Sequence, residues 1–171
     1  MTPLLHLQQP ARFGTLIKRY KRFLCDVELD SGDIITAHCP NPGRMISCSE
    51  PGSRVRLSFF EGTTRKYDHR LDLVHNGDCW IGVNPNLAND IVEKALLSGQ
   101  FLTDLGIQSF KREVPYASNK RIDFLAKNAV DTIYIEVKSV TYAEERVGYF
   151  PDAVSKRAVE HLQALFLYQL F

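Results

Sequence analysis

Residues 121–140 read RIDFLAKNAVDTIYIEVKSV, and this segment carries the strongest signal for both fold and chemistry. Apolar and polar residues alternate in it, which predicts two β-strands, Arg121–Lys127 and Thr132–Val140, joined by a turn. Because side chains on a strand alternate between its faces, Glu136 and Lys138 are expected on one face and the residue between them on the other. A carboxylate and an amine side by side on a strand that should be buried indicate a candidate site.

The preceding strand adds a second carboxylate, Asp123, which lies between apolar residues. If the two strands are neighbours, Asp123 and Glu136 converge, and a proton, a lysine or a divalent cation must relieve their repulsion. Hard oxygen ligands favour Mg²⁺ or Mn²⁺, so we expect Asp123, Glu136 and the Val137 carbonyl to hold such an ion. Lys138 would then serve the attacking water or the phosphate, and Glu113 would add a carboxylate from the strand before. This set suits phosphodiester hydrolysis; the alternative is a solvated ion pair on an exposed sheet face.

The elements around this segment predict an α-β-β-β-α order. Strand signals stop at Asn84-Pro85-Asn86, and apolar residues then recur at helical spacing until Gly99. A further strand, Ser109–Pro115, precedes the two described above, and a last helix is expected to begin near Asp152. We therefore predict an α/β domain over residues 84–171.

Short alternating apolar segments separated by turns fill the first half of the chain, a pattern typical of a small antiparallel barrel. Asp30-Ser31-Gly32-Asp33 is predicted to close one hairpin, and Asn76-Gly77 suits a two-residue turn. Five strands in about 70 residues suggest an OB-type barrel over residues 1–83, with an SH3-like barrel as the alternative. The predicted strands are Gly14–Arg19, Phe23–Leu29, Ile34–Cys39, Arg54–Phe60 with a following hairpin arm, and Cys79–Val83.

Composition narrows the classes of protein further. Of 171 residues, 44% are hydrophobic and 24% charged, as in globular proteins, and the net charge of +1 means that any polyanion site must be local. No apolar run is long enough to cross a bilayer and the N-terminus lacks a signal-peptide pattern, so we expect a cytoplasmic protein without a membrane partner. The four cysteines contain no C-x-x-C pair, which favours reduced thiols over a zinc site.

The most concentrated positive segment lies in the predicted barrel. Its cations suit phosphates and its ring suits stacking on unpaired bases, so all its residues are candidates for nucleic-acid binding: Lys18, Arg19, Tyr20, Lys21 and Arg22. The alternative is a solvated barrel face with Tyr20 and the following Phe23 turned into the core. Three further candidate phosphate contacts are Arg44 in a glycine-containing loop, and Arg157 and His161, which share a face of the last predicted helix.

The order Asp and then Glu-x-Lys on consecutive strands after a helix resembles the core of the PD-(D/E)xK nuclease superfamily. Over nearly all of its length the chain resembles, more specifically, the sugar fermentation stimulation protein A family. The matching segments are Arg19–Leu24, Asp26-Val27, His38–Asn41, Gly43–Met45, Arg121–Phe124, Tyr134–Thr141 and Gly148–Ala153. Glu-Val-Lys alone is common, whereas the whole set is specific.

This resemblance implies an N-terminal OB-type barrel, a PD-(D/E)xK nuclease-like domain, DNA as the partner, and a role in regulating sugar metabolism, notably of maltose genes. Two functions remain open: a DNA-binding regulator, and a Mg²⁺-dependent nuclease acting through Asp123, Glu136 and Lys138. Relatives continue past the final helix into another core strand, so we expect this chain to lack the last strands of the domain. Its apolar ending, Leu165–Phe171, leaves open a homo-oligomer that covers it.

Overall fold

The computed structural model describes residues 6–62, 64–117, 120–145 and 147–150, together with Val159 and Gln163. They fall into two compact units. The barrel unit contains residues 6–86 and 139–150, and the α/β unit contains residues 87–138, Val159 and Gln163. The domain boundary expected at residue 84 stays a prediction. Within the described part, no helix is long and apolar enough to span a membrane.

The barrel unit is built on one sheet, whose strands are β1 (Ala11–Tyr20), β2 (Leu24–Leu29), β3 (Ile34–His38), β4 (Arg54–Phe59), β5 (His69–His75) and β6 (Trp80–Gly82). They lie in the order β3-β2-β1-β4-β5-β6, and neighbours in this order are antiparallel. One parallel pair, His38 with Arg70, joins β3 to β5 and closes a five-stranded OB-like barrel. The predicted fold class is therefore confirmed for this half.

The strand count differs from the prediction at one place. Residues 69–75 were expected only as a hairpin arm, but they form β5, the fifth strand of the barrel, whereas the predicted fifth strand is the short added strand β6. The reason is that β5 buries two polar residues, His69 and Asp72. Polar residues at buried positions remove the alternation by which a strand is recognised in a sequence.

The two predicted turns behave differently. Residues 30–33 close the β2–β3 hairpin as expected, with Gly32 at φ +90° and the Leu29 amide donating to the Asp33 carbonyl at 2.8 Å. The β5–β6 connection spans residues 76–79, because His75 pairs with Trp80, so the expected two-residue turn is wrong. Here the Asn76 side chain accepts hydrogen bonds from two following amides, at 3.1 and 3.0 Å, and so stabilises a longer turn.

The barrel core is apolar and contains three of the four cysteines. Cys25, Cys39 and Cys48 are buried as free thiols, and the sulfur of Cys39 lies 3.6 Å from that of Met45. Burial, the largest cause, raises the pKa of the Cys25 thiol to about 12. These residues therefore fill the core as small hydrophobic groups.

A buried ion pair crosses the barrel sheet between β4 and β5. The Asp72 carboxylate is 0% exposed and the Arg56 side chain 7%, with Arg56 Nη1 donating to Asp72 Oδ2 at 2.9 Å. The Ser58 hydroxyl donates to the same oxygen, and Arg70 Nε donates to Asp72 Oδ1 at 2.8 Å. Both carboxylate oxygens are thus satisfied, as a buried charge requires.

The α/β unit contains a helix and a three-stranded sheet. Its elements are α1 (Asn86–Leu97), a short 3-10 helix (Thr103–Leu105), β7 (Ser109–Ala117), β8 (Lys120–Lys127) and β9 (Thr132–Ile135). The sheet is antiparallel in the order β7-β8-β9, and its buried side chains include Ile122, Phe124 and Ala126 of β8. The last predicted helix lies outside the described residues except for Val159 and Gln163, which are both helical.

After the α/β unit the chain contributes a small hairpin to the barrel unit. The hairpin consists of β10 (Tyr142–Glu144) and β11 (Val147–Tyr149), with the rings of Tyr142 and Tyr149 5.6 Å apart. Just before it, the Ser47 hydroxyl donates to the Thr141 carbonyl at 2.6 Å. The barrel unit is therefore assembled from two separate segments of the chain.

Candidate functional site

Asp123 lies at the meeting point of three segments of the α/β unit. Its neighbours Ile122 and Phe124 are buried, so alternation along β8 directs Asp123 to the other face of the sheet. There Asp123 Oδ1 accepts a hydrogen bond from Asn89 Nδ2 of α1 at 2.9 Å, and Oδ2 accepts one from the Val137 amide at 2.7 Å. The carboxylate thus fixes the chain beyond β9 to β8 and to the helix.

The strand predicted to run from Thr132 to Val140 ends at Ile135, so Glu136 and Lys138 lie just beyond β9, where they form an ion pair. The Glu136 side chain is only 13% exposed and that of Lys138 34%, so this is not the solvated pair that the alternative interpretation describes. Burial and then the negative charge of Glu136 raise the pKa of Tyr116. Phe124 pairs with Ile135, the last residue of β9, and Glu136 follows it directly in the chain.

The contacts of these carboxylates can be compared with the metal site expected from the sequence. Val137 contributes its amide to Asp123, whereas the sequence suggested its carbonyl as a metal ligand. Across the described part of the chain, no group of three or more His, Cys, Asp or Glu side chains is placed to hold a metal ion. Asp123 is instead engaged by Asn89 and the Val137 amide, and Glu136 by Lys138.

Glu113 adopts a conformation that sequence reasoning did not foresee. It falls between the pairs Arg112–Phe124 and Val114–Ile122, but its φ of +52° interrupts the regular strand and its side chain is exposed. Its carbonyl accepts a hydrogen bond from Arg121 at 3.0 Å. The structure therefore gives Glu113 a backbone contact and does not bring its carboxylate into the hydrogen-bonded group around Asp123.

The carboxylates of α1 are engaged by an arginine of the sheet. Arg112 Nη1 lies 3.1 Å from Asp90 Oδ1 and 2.7 Å from Glu93 Oε2, and its guanidinium lies 5.7 Å from the centre of the Phe124 ring. The helix residue that reaches Asp123 is instead Asn89. Sequence reasoning missed Asn89 because helical spacing alone does not tell which polar face of a helix meets the sheet.

In the barrel unit, Lys18 and Tyr20 converge on one carboxylate. Lys18 Nζ lies 3.4 Å from Asp26 Oδ2, and the Tyr20 hydroxyl donates to Asp26 Oδ1 at 2.9 Å. Thr36 donates to the same oxygen at 2.8 Å. Burial alone would raise the pKa of Asp26, but the hydrogen bonds from Thr36, Tyr20 and Lys18 outweigh it and hold that pKa below its ordinary value.

Arg19 organises the loop that contains Arg44. Its guanidinium donates to backbone carbonyls of both the β1–β2 turn and residues 41–44, at distances between 2.6 and 3.3 Å. The accepting carbonyls are those of Arg22, Asn41, Gly43 and Arg44. The Arg44 side chain is exposed, whereas the Arg19 guanidinium serves as a clamp between two loops.

The turn between β1 and β2 presents two cations and a ring to solvent. Lys21 and Arg22 have φ values of +50° and +64°, a left-handed conformation that non-glycine residues rarely adopt. Both side chains are exposed, and Phe23 is 49% exposed, which excludes the alternative that Phe23 faces the core. The remaining candidates, Arg157 and His161, lie outside the described residues.

Comparisons with known proteins agree with this architecture. Residues 17–83 match the family model described as the SfsA N-terminal OB domain, and residues 86–169 match the sugar fermentation stimulation protein RE domain. The first match decides between the two barrel types in favour of the OB type.

Individual relatives cover nearly the whole chain. A sugar fermentation stimulation protein homolog from Citrifermentans bemidjiense is 47% identical over 161 residues, which are 94% of this chain and 70% of the relative. The homolog from Synechocystis is 43% identical over 166 residues, with the same two coverages of 94% and 70%. The structure of Pyrococcus furiosus SfsA in complex with Ca²⁺ superposes with a TM-score of 0.79 at 23% identity, covering 95% of this chain and 68% of that one. The chain belongs to the sugar fermentation stimulation protein family.

Proposed function

We propose that this protein binds nucleic acid through its OB-type barrel, with DNA in the cytoplasm as its partner. The observation that carries the proposal is the β1–β2 turn, which presents Lys21, Arg22 and Phe23 to solvent on a barrel of this type. OB folds bind oligonucleotides with their β2–β3 face and the loops around it, including the β1–β2 loop. Two cations beside an exposed ring suit a phosphate backbone and a stacked base.

The conformation of this turn supports a binding role. A residue in the left-handed region costs of order 1 to 3 kcal/mol and persists only where the surrounding structure holds it. Here Arg19 holds the turn, since its guanidinium donates to the Arg22 carbonyl at 2.6 Å. The two cations are thus displayed from a fixed backbone, which lowers the entropy lost when a strand binds.

Fluorescence anisotropy with a labelled single-stranded oligonucleotide of about 20 nucleotides, longer than the site of one barrel, tests the proposal. Replacing Lys21 and Arg22 by Gln should flatten the dependence of log Kobs on log salt by about 1.4, because each lost contact with a single strand removes about 0.7. The matched control is Lys111→Gln with Lys127→Gln, which removes two exposed cations of the α/β unit. An unchanged salt slope in the turn variant would count against the barrel as the binding surface, and a duplex probe run in parallel determines strandedness.

For its biological role we propose regulation of genes for sugar use, including maltose genes, in keeping with the name that the relatives carry. Transcripts of such genes should change when the gene for this protein is deleted. The wild-type protein should restore them, whereas the Lys21→Gln/Arg22→Gln variant should not. If both proteins restore the transcripts equally, the β1–β2 turn is not required for the effect on transcription.

A second candidate, hydrolysis of nucleic acid, is favoured by Asp123, Glu136 and Lys138. Mg²⁺ is commonly held by one or two carboxylates with water completing its shell, which fits what Asp123 and Glu136 supply. When bound there, a divalent ion would neutralise charge on a phosphodiester oxygen and lower the pKa of a water. Lys138, already paired with Glu136, would offer its amine to the phosphate.

Cleavage of single-stranded and duplex DNA in Mg²⁺ or Mn²⁺ tests this second candidate. Asp123→Asn and Glu136→Gln should each reduce cutting by about 100-fold or more, in the range seen when one group that stabilises a transition state is removed. Asp104→Asn, on the exposed 3-10 helix, is the matched control and should cut like the wild type. Cutting that persists in both site variants would point to a contaminating nuclease.

A further inference from the structure

A second basic surface of the barrel unit lies at the β4–β5 connection and is formed by residues outside the segment that the sequence singled out. It is a cleft of about 280 Å³, which we call the β4–β5 cleft. Five of its six lining residues are arginine, lysine or histidine and none is acidic: His38, Arg65, Lys66, Tyr67, His69 and Arg70. Such a concentration of one sign of charge indicates an anionic ligand.

The cations of this cleft are held in place by contacts beneath them. Arg70 Nε donates to the buried Asp72 carboxylate at 2.8 Å, and the Arg70 guanidinium lies 5.1 Å from the centre of the Phe60 ring. Arg65 lies over the same ring at 4.0 Å. Two guanidinium groups of the cleft thus contact the same ring, and a guanidinium is well suited to binding phosphate.

The cations that line the cleft repel one another, and a bound anion would reduce this repulsion. Burial and then the positive charges of Arg70 and Arg65 lower the pKa of His38. Two carboxylates of β5 and the residue before it already have partners, since Asp68 lies 2.6 Å from His69 Nδ1 and Asp72 is shared by Arg56 and Arg70. A bound phosphate would supply the negative charge that the lining residues of the cleft lack.

Tyr67 adds a feature that an inorganic anion would not need. Its side chain is half-buried in the lining of the cleft, and Lys66 Nζ lies 5.5 Å from the centre of its ring. A ring beside several cations suits a nucleotide, because the base of the nucleotide can stack on the ring while its phosphate pairs with the cations.

We infer that the β4–β5 cleft binds a phosphate group of a nucleic-acid strand, as a second contact point beside the β1–β2 turn. This inference rests on the proposed nucleic-acid binding and assigns to it the six residues that line the cleft. The β4–β5 loop adjoins the binding face of OB folds, so one strand could meet both loops.

The test uses the full chain and the same labelled oligonucleotide between about 0.05 and 0.2 M salt. The variant is Arg65→Gln with Lys66→Gln, because both residues line the cleft and both side chains are exposed, and its far-UV circular dichroism and urea midpoint are checked against the wild type. Two lost contacts should lower the salt slope by about 1.4, which corresponds to binding about 25-fold weaker at 0.1 M salt if the affinities converge at 1 M. Lys111→Gln with Lys127→Gln is again the matched control and should retain the wild-type slope.

The outcomes separate this inference from the proposed function. If the wild type binds and the turn variant is weakened, while the Arg65→Gln/Lys66→Gln variant keeps the wild-type slope, the cleft is refuted and the proposed function stands. If the wild type binds no nucleic acid, both fail. Inorganic phosphate at matched ionic strength is the last arm: if it shifts the His38 imidazole signals in NMR spectra while the cleft variant binds the oligonucleotide normally, the cleft is a site for free phosphate and the inference is overturned.

Discussion

Replacing Asp72 by asparagine should destabilise the barrel by about 3 kcal/mol. Removing one partner of a buried ion pair costs about 3 to 5 kcal/mol, because the remaining charge is left in a low-dielectric interior. Here that charge is Arg56, 7% exposed, and the neutral amide would also face Arg70, which donates to the native carboxylate at 2.8 Å. The lower end of the range applies because the amide oxygen of asparagine can still accept the hydrogen bonds that Arg56 and Ser58 donate to Oδ2.

Urea unfolding followed by tryptophan fluorescence measures this loss, since the single tryptophan, Trp80, lies on β6 of the barrel sheet. With an m-value of about 2 kcal/mol per molar urea, 3 kcal/mol moves the midpoint down by about 1.5 M. The control is Asp30→Asn, which breaks the exposed Asp30–Arg54 pair with the same change of side chain. Equal midpoints for the two variants, or a fall of less than about 0.5 M for Asp72→Asn, would refute the electrostatic account of this network.

Three other outcomes can be measured with standard methods. The pKa of Asp26 is held below its ordinary value of 3.8. The ionised carboxylate therefore stabilises the fold above that pH, and this stabilisation is lost as the pH falls through the folded-state pKa. Asp26→Asn should accordingly lower the urea midpoint at neutral pH and match the wild type in strong acid. Arg19→Lys should cost about 2 kcal/mol in urea unfolding and speed exchange of the Gly43 and Arg44 amides, because an ammonium cannot reach all the carbonyls that the guanidinium bridges; unchanged exchange would contradict the clamp. Ellman's reagent should label Cys79 rapidly in the native protein and leave Cys25, whose pKa is raised to about 12, unlabelled until denaturant is added.

Much of the fold could be predicted from the sequence, because local patterns determine it. Strands β1 to β4 and the three strands of the α/β unit were recognised from alternation, and α1 from helical spacing. β5 was not recognised as a barrel strand, since its buried Asp72 is stabilised by Arg56 and Arg70 from β4 and β5. Whether a polar residue is buried depends on partners distant in sequence, and no local pattern reveals them.

Some features of the candidate site could likewise be predicted from the sequence, and others could not. The order of the strands predicts that the segment after β9 approaches Asp123. In the structure this approach is made by the Val137 amide, which donates a hydrogen bond to Asp123. The left-handed backbone of Lys21 and of Glu113 could not be foreseen, because neither residue type favours it. The use of Arg19 as a clamp was equally hidden, since a guanidinium that binds backbone carbonyls looks the same in a sequence as one that binds phosphate.

The return of the chain to the barrel unit after residue 138 has a practical consequence for dissecting this protein. A fragment that stops at residue 86 would lack the β10–β11 hairpin and the Thr141 carbonyl that the Ser47 hydroxyl binds. A comparison of this fragment with the full chain would therefore not isolate the effect of the α/β unit, because the fragment also lacks part of the barrel unit. A permuted gene that links residues 139–150 directly to the first segment would be the better way to obtain the barrel by itself.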